Sequence, residues 1–494
     1  MRRLLVGAAA AAAVGAVTLI VLPNVAQAAS GCQVTYTTND WGTGSGGFTA
    51  SVTVTNLGDA VSAWTLRFGF PNGQQITQGW SANWSQSGAN VTATNMTWNG
   101  NLGTGASTAI GFNGSWTGTN GKPTNFSLNN VACTGTTVSS SPTPSPSTST
   151  SPPPSGGTAP ALHVSGNKLL TASGAAYRLL GVNRSGGEFA CIQGNGIWDG
   201  PMDQASVTAM RSWKVRTVRV PLNEQCWLGV SPVQPQYGGT TYQNAVKTYV
   251  NLLIANGITP IVEMHWNYGQ YTGPSAGCSD VNATCQKPMP DAQYAPQFWT
   301  GVANAFKGNN AVVFDLFNEP YPERATGNTT TGWTCWRDGG TCPGISYQVA
   351  GFQSLVNAVR ATGATNVIML GGLAYSNDAS QWLQFKPTDS TGNLAAFAHV
   401  YNFNTCSNTS CYDSTFDPVA AQVPFNLTEI GENDCAHGFI DTLMNWADAH
   451  SVGYLGWTWN AWDCSSGPAL ISDYSGTATA FGQGLKNRLA TVSS

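Results

Sequence analysis

Residues 313–321 have the sequence VFDLFNEPY, an apolar run that ends in Asn318, Glu319 and Pro320. A short apolar run that stops at a proline is the pattern of a buried strand followed by a loop. Such a strand has no structural need for a carboxylate at its end. Glu319 is therefore a candidate functional residue, and its role depends on how the other strands of the chain are arranged.

The same pattern recurs through residues 160–494, where short apolar segments alternate with stretches of helical spacing such as 245–257 and 351–363. Eight strands joined by helices predict a (β/α)8 TIM barrel, an α/β fold whose active site lies at the carboxyl ends of the strands. The predicted strands fall within 177–183, 215–222, 258–266, 312–320, 366–372, 395–402, 423–432 and 454–462.

The rest of the chain predicts three further parts, so the protein is expected to be multi-domain. Residues 1–28 run from basic to apolar to small residues and predict a secretory signal peptide, hence an extracellular protein. Residues 29–134 show short alternating strands and Gly/Asn/Asp turns, which predict an all-β sandwich. Residues 135–159 are mostly Ser, Thr, Pro and Gly and predict an extended linker.

The chain has 12 cysteines, and secretion makes this even count indicative of disulfides. Cys32 and Cys133 are the two cysteines of the first part, and a bridge closing so long a loop could contribute about 4 to 5 kcal/mol in the chain-entropy model. The zinc alternative is weak because no C-x-x-C pair faces a second ligand pair. The other pairings are hypotheses from spacing: Cys278 with Cys285, Cys335 with Cys342, Cys406 with Cys411, Cys191 with Cys226, and Cys435 with Cys464.

Composition narrows the class of partner. Only 9% of the residues are charged, the formal net charge is -4, and there are 18 tryptophans. The sequence has no Lys/Arg cluster that could neutralise phosphate groups, so its charge gives no reason to expect binding to nucleic acid or to an anionic membrane. Aromatic faces with hydroxyl and amide groups suit uncharged polyols instead. The mature protein is expected to be a monomer that needs no metal and no organic cofactor.

Because the carboxyl ends of the barrel strands meet at one face, the residues at predicted strand ends are expected to share one pocket. These residues are acids, bases and aromatic side chains. Glu319 ends the fourth predicted strand and Glu429 the seventh, and two such carboxyls are the minimum for cleaving a glycosidic bond. Carboxyls about 5 to 5.5 Å apart indicate retention of configuration, and about 6.5 to 9.5 Å indicates inversion. The full set is Arg219, His265, Asn318, Glu319, His399, Tyr401, Glu429 and Trp459.

The two carboxyls need different protonation states, which their surroundings must supply. Arg219 and Tyr401 are candidates to hold Glu429 ionised, by charge and by hydrogen bonding. Asn318 could bond a sugar 2-hydroxyl. Trp457 and Trp459 are candidates for the pocket floor.

Six short motifs lie at the predicted strand ends: NEP at 318–320, TEIG at 428–431, VRVP at 218–221, MHW at 264–266, HVY at 399–401 and WTWN at 457–460. Through these motifs, residues 160–490 resemble glycoside hydrolase family 5. The resemblance implies Glu319 as acid/base and Glu429 as nucleophile, with Arg219, His265, Asn318, His399, Tyr401 and Trp459 in support. Glu432 is a rival nucleophile because it follows Glu429 so closely.

The first part resembles a carbohydrate-binding module of family 2, through NDWGTG at 39–44, GWSANW at 79–84 and TWNG at 97–100. This resemblance implies cellulose binding by exposed Trp41, Trp80 and Trp98, with Trp64 in the core. Together the two resemblances imply a secreted retaining β-glycanase, foremost an endo-β-1,4-glucanase. A β-mannanase, another hemicellulase or an exo-acting glycosidase is an alternative, and a non-catalytic cellulose-binding adhesion protein is another.

Overall fold

The computed structural model describes residues 31–42, 44–96, 99–133, 137–140, 158–464 and 467–492. The chain divides into two compact units, Met1–Ser151 and Pro152–Ser494. The predicted signal peptide and most of the predicted linker lie outside the described residues. Within the described ranges, none of the helices combines the length and the apolar character needed to cross a bilayer.

The described part of the N-terminal unit is built from strands. They form two five-stranded sheets, with the orders β10-β1-β2-β7-β4 and β5-β6-β3-β8-β9. All pairs are antiparallel except β1 with β10, which is parallel. The strands are β1 (Cys32–Gly42), β2 (Ser45–Asn56), β3 (Thr65–Gly69), β4 (Gln75–Trp80), β5 (Asn83–Ser87), β6 (Asn90–Thr94), β7 (Ser107–Thr117), β8 (Ser127–Leu128), β9 (Val131–Ala132) and β10 (Thr137–Ser140).

The two sheets enclose one aromatic core, which confirms the predicted all-β sandwich. The ring of Phe68 on β3 stacks against that of Phe112 on β7, with centroids 6.1 Å apart. Trp64 is 1% exposed and its indole N–H donates to Asn99 O at 2.7 Å, as expected of a core residue. Alternate residues of the strands face this core, and that alternation is the source of the sequence pattern.

Strand β10 differs from the prediction, because residues 137–140 lie within the segment predicted as linker. Thr137 and Val138 are β-branched, a residue class favoured in strands, and they pair with Thr35 and Tyr36 of β1.

The C-terminal unit contains strands and helices in alternation. Its strands are β11 (Leu162–Ser165), β12 (Lys168–Thr171), β13 (Leu180–Asn183), β14 (Thr217–Asn223), β15 (Thr259–Trp266), β16 (Val313–Asp315), β17 (Gly339–Gly340), β18 (Val349–Ala350), β19 (Ile368–Gly371), β20 (Leu394–Tyr401), β21 (Phe425–Gly431), β22 (Gly453–Gly456), β23 (Ile471–Asp473) and β24 (Thr477–Ala478). Its helices are α1 (Gln204–Ser212), α2 (Glu224–Leu228), α3 (Thr240–Ala255), α4 (Ala295–Phe306), α5 (Pro322–Thr326), α6 (Thr329–Asp338), α7 (Phe352–Ala361), α8 (Leu373–Ser376), α9 (Trp382–Phe385), α10 (Thr409–Thr415), α11 (Asp417–Ala420), α12 (Gly438–Ala449) and α13 (Ala480–Val492).

Eight of these strands close a parallel barrel in the order β13-β14-β15-β16-β19-β20-β21-β22, which confirms the predicted fold. Each barrel strand overlaps one of the segments predicted from the sequence, and β14, β20 and β22 each extend one residue beyond it. Helices cover the outside of the barrel, so both faces of its strands are buried and β14 and β21 are buried at every residue. Side chains such as Ile261, Met369 and Phe397 fill the interior.

Six disulfides are present, and the pairings expected from spacing are confirmed. One joins Cys32 to Cys133 in the sandwich. All five bridges in the barrel unit lie in segments that follow barrel strands, where the site loops are, so these loops are covalently braced. The barrel-unit bridges are Cys191–Cys226, Cys278–Cys285, Cys335–Cys342, Cys406–Cys411 and Cys435–Cys464.

Candidate active site

Glu429 lies on β21 and is 3% exposed, with both of its oxygens hydrogen-bonded. Arg219 Nη1 donates to Oε1 at 2.7 Å, and the hydroxyl of Tyr401 donates to Oε2 at 2.6 Å. Burial raises the pKa of Glu429 above its usual value, while the charge of Arg219 and the Tyr401 hydrogen bond act in the opposite direction. These two contacts are of the kind that favours an ionised carboxylate.

Glu319 follows β16 in a different environment. Its side chain is 23% exposed, and Oε1 lies 2.9 Å from His399 Nδ1. Burial and, after it, the negative charge of Glu429 raise the pKa of Glu319 well above the usual carboxyl value. No Lys or Arg side chain in the described chain pairs with this carboxyl. Its surroundings favour the protonated acid.

The two carboxyls face one small space. One oxygen of Glu319, one oxygen of Glu429 and a ring nitrogen of His399 all lie within 4.8 Å of one another. This approach is closer than the spacing of about 6.5 to 9.5 Å typical of inverting glycosidases and agrees with the spacing of about 5 to 5.5 Å typical of retaining ones. Burial and the positive charge of Arg219 lower the pKa of His399 far below its usual value. A neutral imidazole therefore bridges the two carboxyls, and its Nε2 lies 3.1 Å from Thr428 Oγ1.

Arg219 on β14 is fully buried and organises the base of the pocket. Burial raises the pKa of Glu263 to about 8 and the pKa of Asp315 well above its usual value. Both carboxyls are therefore harder to ionise, so the single positive charge of Arg219 is not surrounded by three buried negative charges. The acceptors around the guanidinium are Asp315 at 2.8 Å, Asn318 at 2.8 Å, Glu429 at 2.7 Å, Asn183 at 3.1 Å and Glu263 at 3.4 Å.

Asn318 and His265 form the neighbouring part of the network. Asn318 Nδ2 lies 3.3 Å from His265 Nε2 and donates to Gln286 Oε1 at 2.5 Å. The other ring nitrogen of His265 bonds Glu263 Oε1, and burial lowers the pKa of His265 to about 4, so the ring is neutral. Because both N–H groups of Asn318 are engaged, a sugar hydroxyl can use only the second lone pair of Asn318 Oδ1.

Trp459 is a correction to the predicted set. It is fully buried, and its indole packs edge-on against Trp213 with centroids 4.8 Å apart, so it belongs to the core. Trp457 is only partly buried and stacks on His265 with ring centroids 5.5 Å apart, so it is the more accessible of the two rings. Glu432 is 1% exposed and accepts from Phe439 N at 2.9 Å, outside the pair formed by the two glutamates.

Apart from Trp459, the residues predicted for the pocket are joined in one network of contacts: Arg219, His265, Asn318, Glu319, His399, Tyr401 and Glu429. Five contributors were missed by the sequence argument. Asn183 ends the first strand, and Glu263 and Asp315 are carboxylates inside apolar strands, so the same strand rule could have found them. Thr428 and the loop residue Gln286 carry no comparable signal.

The three tryptophans predicted to bind cellulose remain predictions. Trp41 falls in β1 and Trp80 in β4, two strands of the same sheet, but their side chains lie outside the described residues. Trp98 lies outside them entirely.

A parallel barrel with one glutamate after the fourth strand and its partner on the seventh defines a glycoside hydrolase of the retaining type. The family described as Cellulase (glycosyl hydrolase family 5) matches residues 172–463, and the chain belongs to that family. A cellulose binding domain matches residues 32–133 and includes the disulfide-bonded sandwich.

Known relatives cover the chain in two ways. Endoglucanase CelA of Streptomyces lividans is 29% identical over 515 residues, which span 100% of this chain and 99% of that protein. Endoglucanase B of Cellulomonas fimi is 55% identical over 102 residues, which are 21% of this chain and only 10% of that protein. A solved beta-glucanase from Saccharophagus degradans is 18% identical with a TM-score of 0.51, covering 69% of this chain and 98% of that one, and indicates the shared fold.

Proposed function

We propose that the protein is an endo-β-1,4-glucanase that hydrolyses cellulose with retention of anomeric configuration. The observation that carries the proposal is the pair Glu319 and Glu429, which lie in unequal environments with one oxygen of each within 4.8 Å of the other. The full-length similarity to an endoglucanase supports the choice of substrate. A non-catalytic adhesion protein would have no need to keep two costly buried carboxyls in one pocket.

In the first step, an oxygen of Glu429 attacks the anomeric carbon while the proton of Glu319 passes to the glycosidic oxygen, which leaves with its bonding electrons. The products are a glycosyl ester on Glu429 and a shortened chain. In the second step, the Glu319 carboxylate removes a proton from water, whose oxygen attacks the same carbon and releases Glu429. Two displacements restore the original configuration.

The charges around Glu319 support the change of role that this residue needs. The negative charge of Glu429 is one of the causes that raise the pKa of Glu319. Forming the ester removes that charge, so the pKa of Glu319 falls and the residue can act as a base in the second step. Arg219 and Tyr401 stabilise the carboxylate of Glu429 when it is released.

A substrate panel tests the proposal. Soluble carboxymethyl cellulose, insoluble cellulose, mannan, xylan and xyloglucan are each incubated with the protein, and released reducing ends are measured together with viscosity. We expect the greatest release from the cellulosic substrates, with viscosity falling early because cleavage is internal. Greater release of reducing ends from mannan would make mannan the substrate in place of cellulose. No release from any polymer would overturn the hydrolase assignment.

The pH profile of kcat/KM should be bell-shaped, because Glu319 must be protonated and Glu429 ionised. The raised pKa of Glu319 extends activity to a higher pH than an ordinary carboxyl would allow. Tyr401→Phe removes a donor to charged Glu429, which raises the pKa of Glu429. The acid limb should therefore move to higher pH in this variant, while the basic limb moves less. An unmoved acid limb would contradict the role of Tyr401.

Changing Trp41, Trp80 and Trp98 together to alanine should release the protein from insoluble cellulose but spare hydrolysis of a soluble oligosaccharide. The module raises the local substrate concentration and takes no part in the chemistry. Pull-down on microcrystalline cellulose and kcat/KM on the soluble substrate are measured side by side. Trp64→Phe, a change in the sandwich core, controls for damage to the fold. Equal loss of binding and soluble activity would contradict the two-part organisation.

We also propose that the protein acts outside the cell as a monomer. Six disulfides support the oxidising location, because such bonds persist in that compartment. N-terminal sequencing of secreted protein tests cleavage near Ala28. Light scattering measures the mass in solution.

A further inference from the structure

Glu224 and Asp291 are two buried carboxyls that the mechanism above does not use. Glu224 is 0% exposed at the start of α2, and Asp291 is 2% exposed in the segment before α4. Their side chains are hydrogen-bonded to each other. Among the described residues, no Lys, Arg or His side chain forms an ion pair with either carboxyl. Because an ionised carboxylate can only accept, a direct bond between two carboxyls requires a proton on one of them.

The remaining contacts show which oxygens form that bond. Tyr268 N donates to Glu224 Oε2 at 2.7 Å. Gln293 N and Tyr294 N donate to Asp291 Oδ1 at 2.9 and 2.7 Å. Glu224 Oε1 and Asp291 Oδ2 are buried, and no N–H or hydroxyl group in the described part of the chain donates to them. These two oxygens are therefore the ones available to share a proton.

The surroundings of the pair disfavour a second negative charge. Burial and, after it, the charge of Asp291 raise the pKa of Glu224 well above its usual value. Burial also raises the pKa of Asp291, although the hydrogen bonds from Glu224 and from backbone N–H groups act to lower it, so the proton resides on Glu224. The other titratable side chains beside the pair are the phenols of Tyr268, Tyr294 and Tyr347. A phenol is never positively charged, so none of them can offset a second carboxylate.

The pair closes the base of the β15–α4 loop, residues 267–294. Tyr268 lies at the beginning of this loop and Asp291 near its end, and Glu224 is bonded to both. The next residue of α2 contacts the middle of the loop, since Gln225 Oε1 accepts from Ala283 N at 2.5 Å. The start of α2 is therefore the base to which the loop is attached.

The same loop reaches the acid. Gln286 Oε1 accepts from Asn318 Nδ2 at 2.5 Å, and Gln286 Nε2 donates to Glu319 O at 2.5 Å. Asn318 Oδ1 in turn accepts from Arg219 at 2.8 Å. The position of the β15–α4 loop consequently affects the backbone that carries the Glu319 carboxyl.

We propose that Glu224 and Asp291 share one proton, and that this protonated pair holds the base of the β15–α4 loop closed, so that Gln286 positions the segment carrying Glu319. Glu224 and Asp291 are positioning residues, because they act through Gln286. Loss of the proton would place two negative charges in one buried site and open the base of the loop. The shared proton does not depend on the reaction catalysed, whereas the effect on Glu319 rests on the proposed function.

Unfolding as a function of pH tests the shared proton. The native pair keeps its proton to a higher pH than the unfolded chain does. Its contribution to stability is therefore complete below the usual carboxyl pKa of 4.5 and is lost as the pH rises through the raised value. In Glu224→Gln, an amide donates the same hydrogen bond and does not titrate. Over this range, the unfolding equilibrium constant of the parent should rise relative to that of Glu224→Gln by up to about ten-fold per pH unit.

Asp389→Asn is the matched control. Burial opposes the ionisation of Asp389, but its hydrogen bond with Arg360 and the charge of Arg360 lower the pKa of Asp389 to about 2. Asp389→Asn should therefore destabilise the protein at neutral pH, and the loss should fade on acidification, the opposite trend to Glu224→Gln. A difference between the parent and Glu224→Gln that stays constant with pH would overturn the shared proton. Stabilisation of the parent but not of Glu224→Gln by added Ca²⁺ would assign the two oxygens to a cation and overturn it as well.

Kinetics on cello-oligosaccharides test the positioning. Glu224→Ala removes the bond at the base of the loop and should lower kcat/KM by about ten-fold, because small displacements of the acid are costly. Glu224→Gln should restore most of this loss. Gln286→Ala should give a similar loss, and the double variant with Glu224→Ala should lose little more than either single variant, because the two residues act in series. Asp291→Ala, which removes the same bond, takes the place of Glu224→Ala if that variant does not fold.

The outcomes separate this inference from the proposed function. Unfolding needs no substrate, so the pH comparison tests the shared proton even if the parent hydrolyses no polymer. If the parent is active but the losses of Glu224→Ala and Gln286→Ala multiply in the double variant, the positioning is overturned while the hydrolase assignment stands. Equal activity losses in Glu224→Gln and Glu224→Ala would overturn it in the same way.

Discussion

Replacing Glu429 with alanine is expected to lower kcat on cello-oligosaccharides by on the order of 10⁵-fold, the scale seen when a covalent nucleophile is removed. The side chain is held by Arg219 and Tyr401, and the described pocket offers no second carboxylate in its place, since Glu432 is committed to Phe439 N. Cellulose pull-down should be unchanged, because binding belongs to the sandwich. Full activity in the variant would remove Glu429 as the nucleophile.

Azide makes this test specific. In Glu429→Ala, azide enters the space left by the carboxylate and attacks from the face that Glu429 used, while Glu319 still supplies the proton. The product should be an α-glycosyl azide, which a single displacement on a β-glycoside requires. Proton NMR of the anomeric centre identifies it. A β-azide from this variant would indicate that the roles of Glu319 and Glu429 are exchanged.

The barrel itself determines where several of the site residues lie. Parallel strands bring their carboxyl ends together, so the position of Arg219, Glu319 and Glu429 on or just after barrel strands is enough to place them in one pocket. The strands were recognisable because burial on both faces requires an apolar run. Physical rules at the level of strands therefore predicted the pair, although more than a hundred residues separate its members.

The choice between Trp457 and Trp459 could not be predicted in this way. β22 ends at Gly456, before both tryptophans, so the two-residue alternation of a strand no longer says which side chain faces the pocket. Gln286 comes from a long irregular loop whose path has no periodicity. Residues 374–376 form a left-handed turn after β19, and no glycine marks it. Tertiary contacts determine these positions, and single-sequence patterns do not record them.

Replacing Glu319 with alanine should lower activity by a factor that depends on the substrate, unlike the replacement of Glu429. A leaving group that departs poorly as an anion needs the proton of Glu319, whereas a good leaving group does not. On cello-oligosaccharides, whose leaving oxygen requires a proton, kcat/KM should fall by about 10²- to 10⁴-fold. On an aryl cellobioside with an acidic phenol, the first step should be nearly preserved, since that phenolate departs without protonation. The second step still lacks its base, so a burst of phenol followed by slow turnover is expected.

Azide distinguishes this variant from Glu429→Ala by stereochemistry. With the nucleophile intact, the glycosyl ester forms on Glu429, and azide attacks it from the face that Glu319 used, which restores turnover without a base. The product should be a β-glycosyl azide, formed by two displacements. Glu319→Gln, of similar size, should show the same leaving-group dependence because an amide neither donates a proton of adequate acidity nor accepts one. Equal losses on both substrates would mean that Glu319 supports the pocket without transferring a proton.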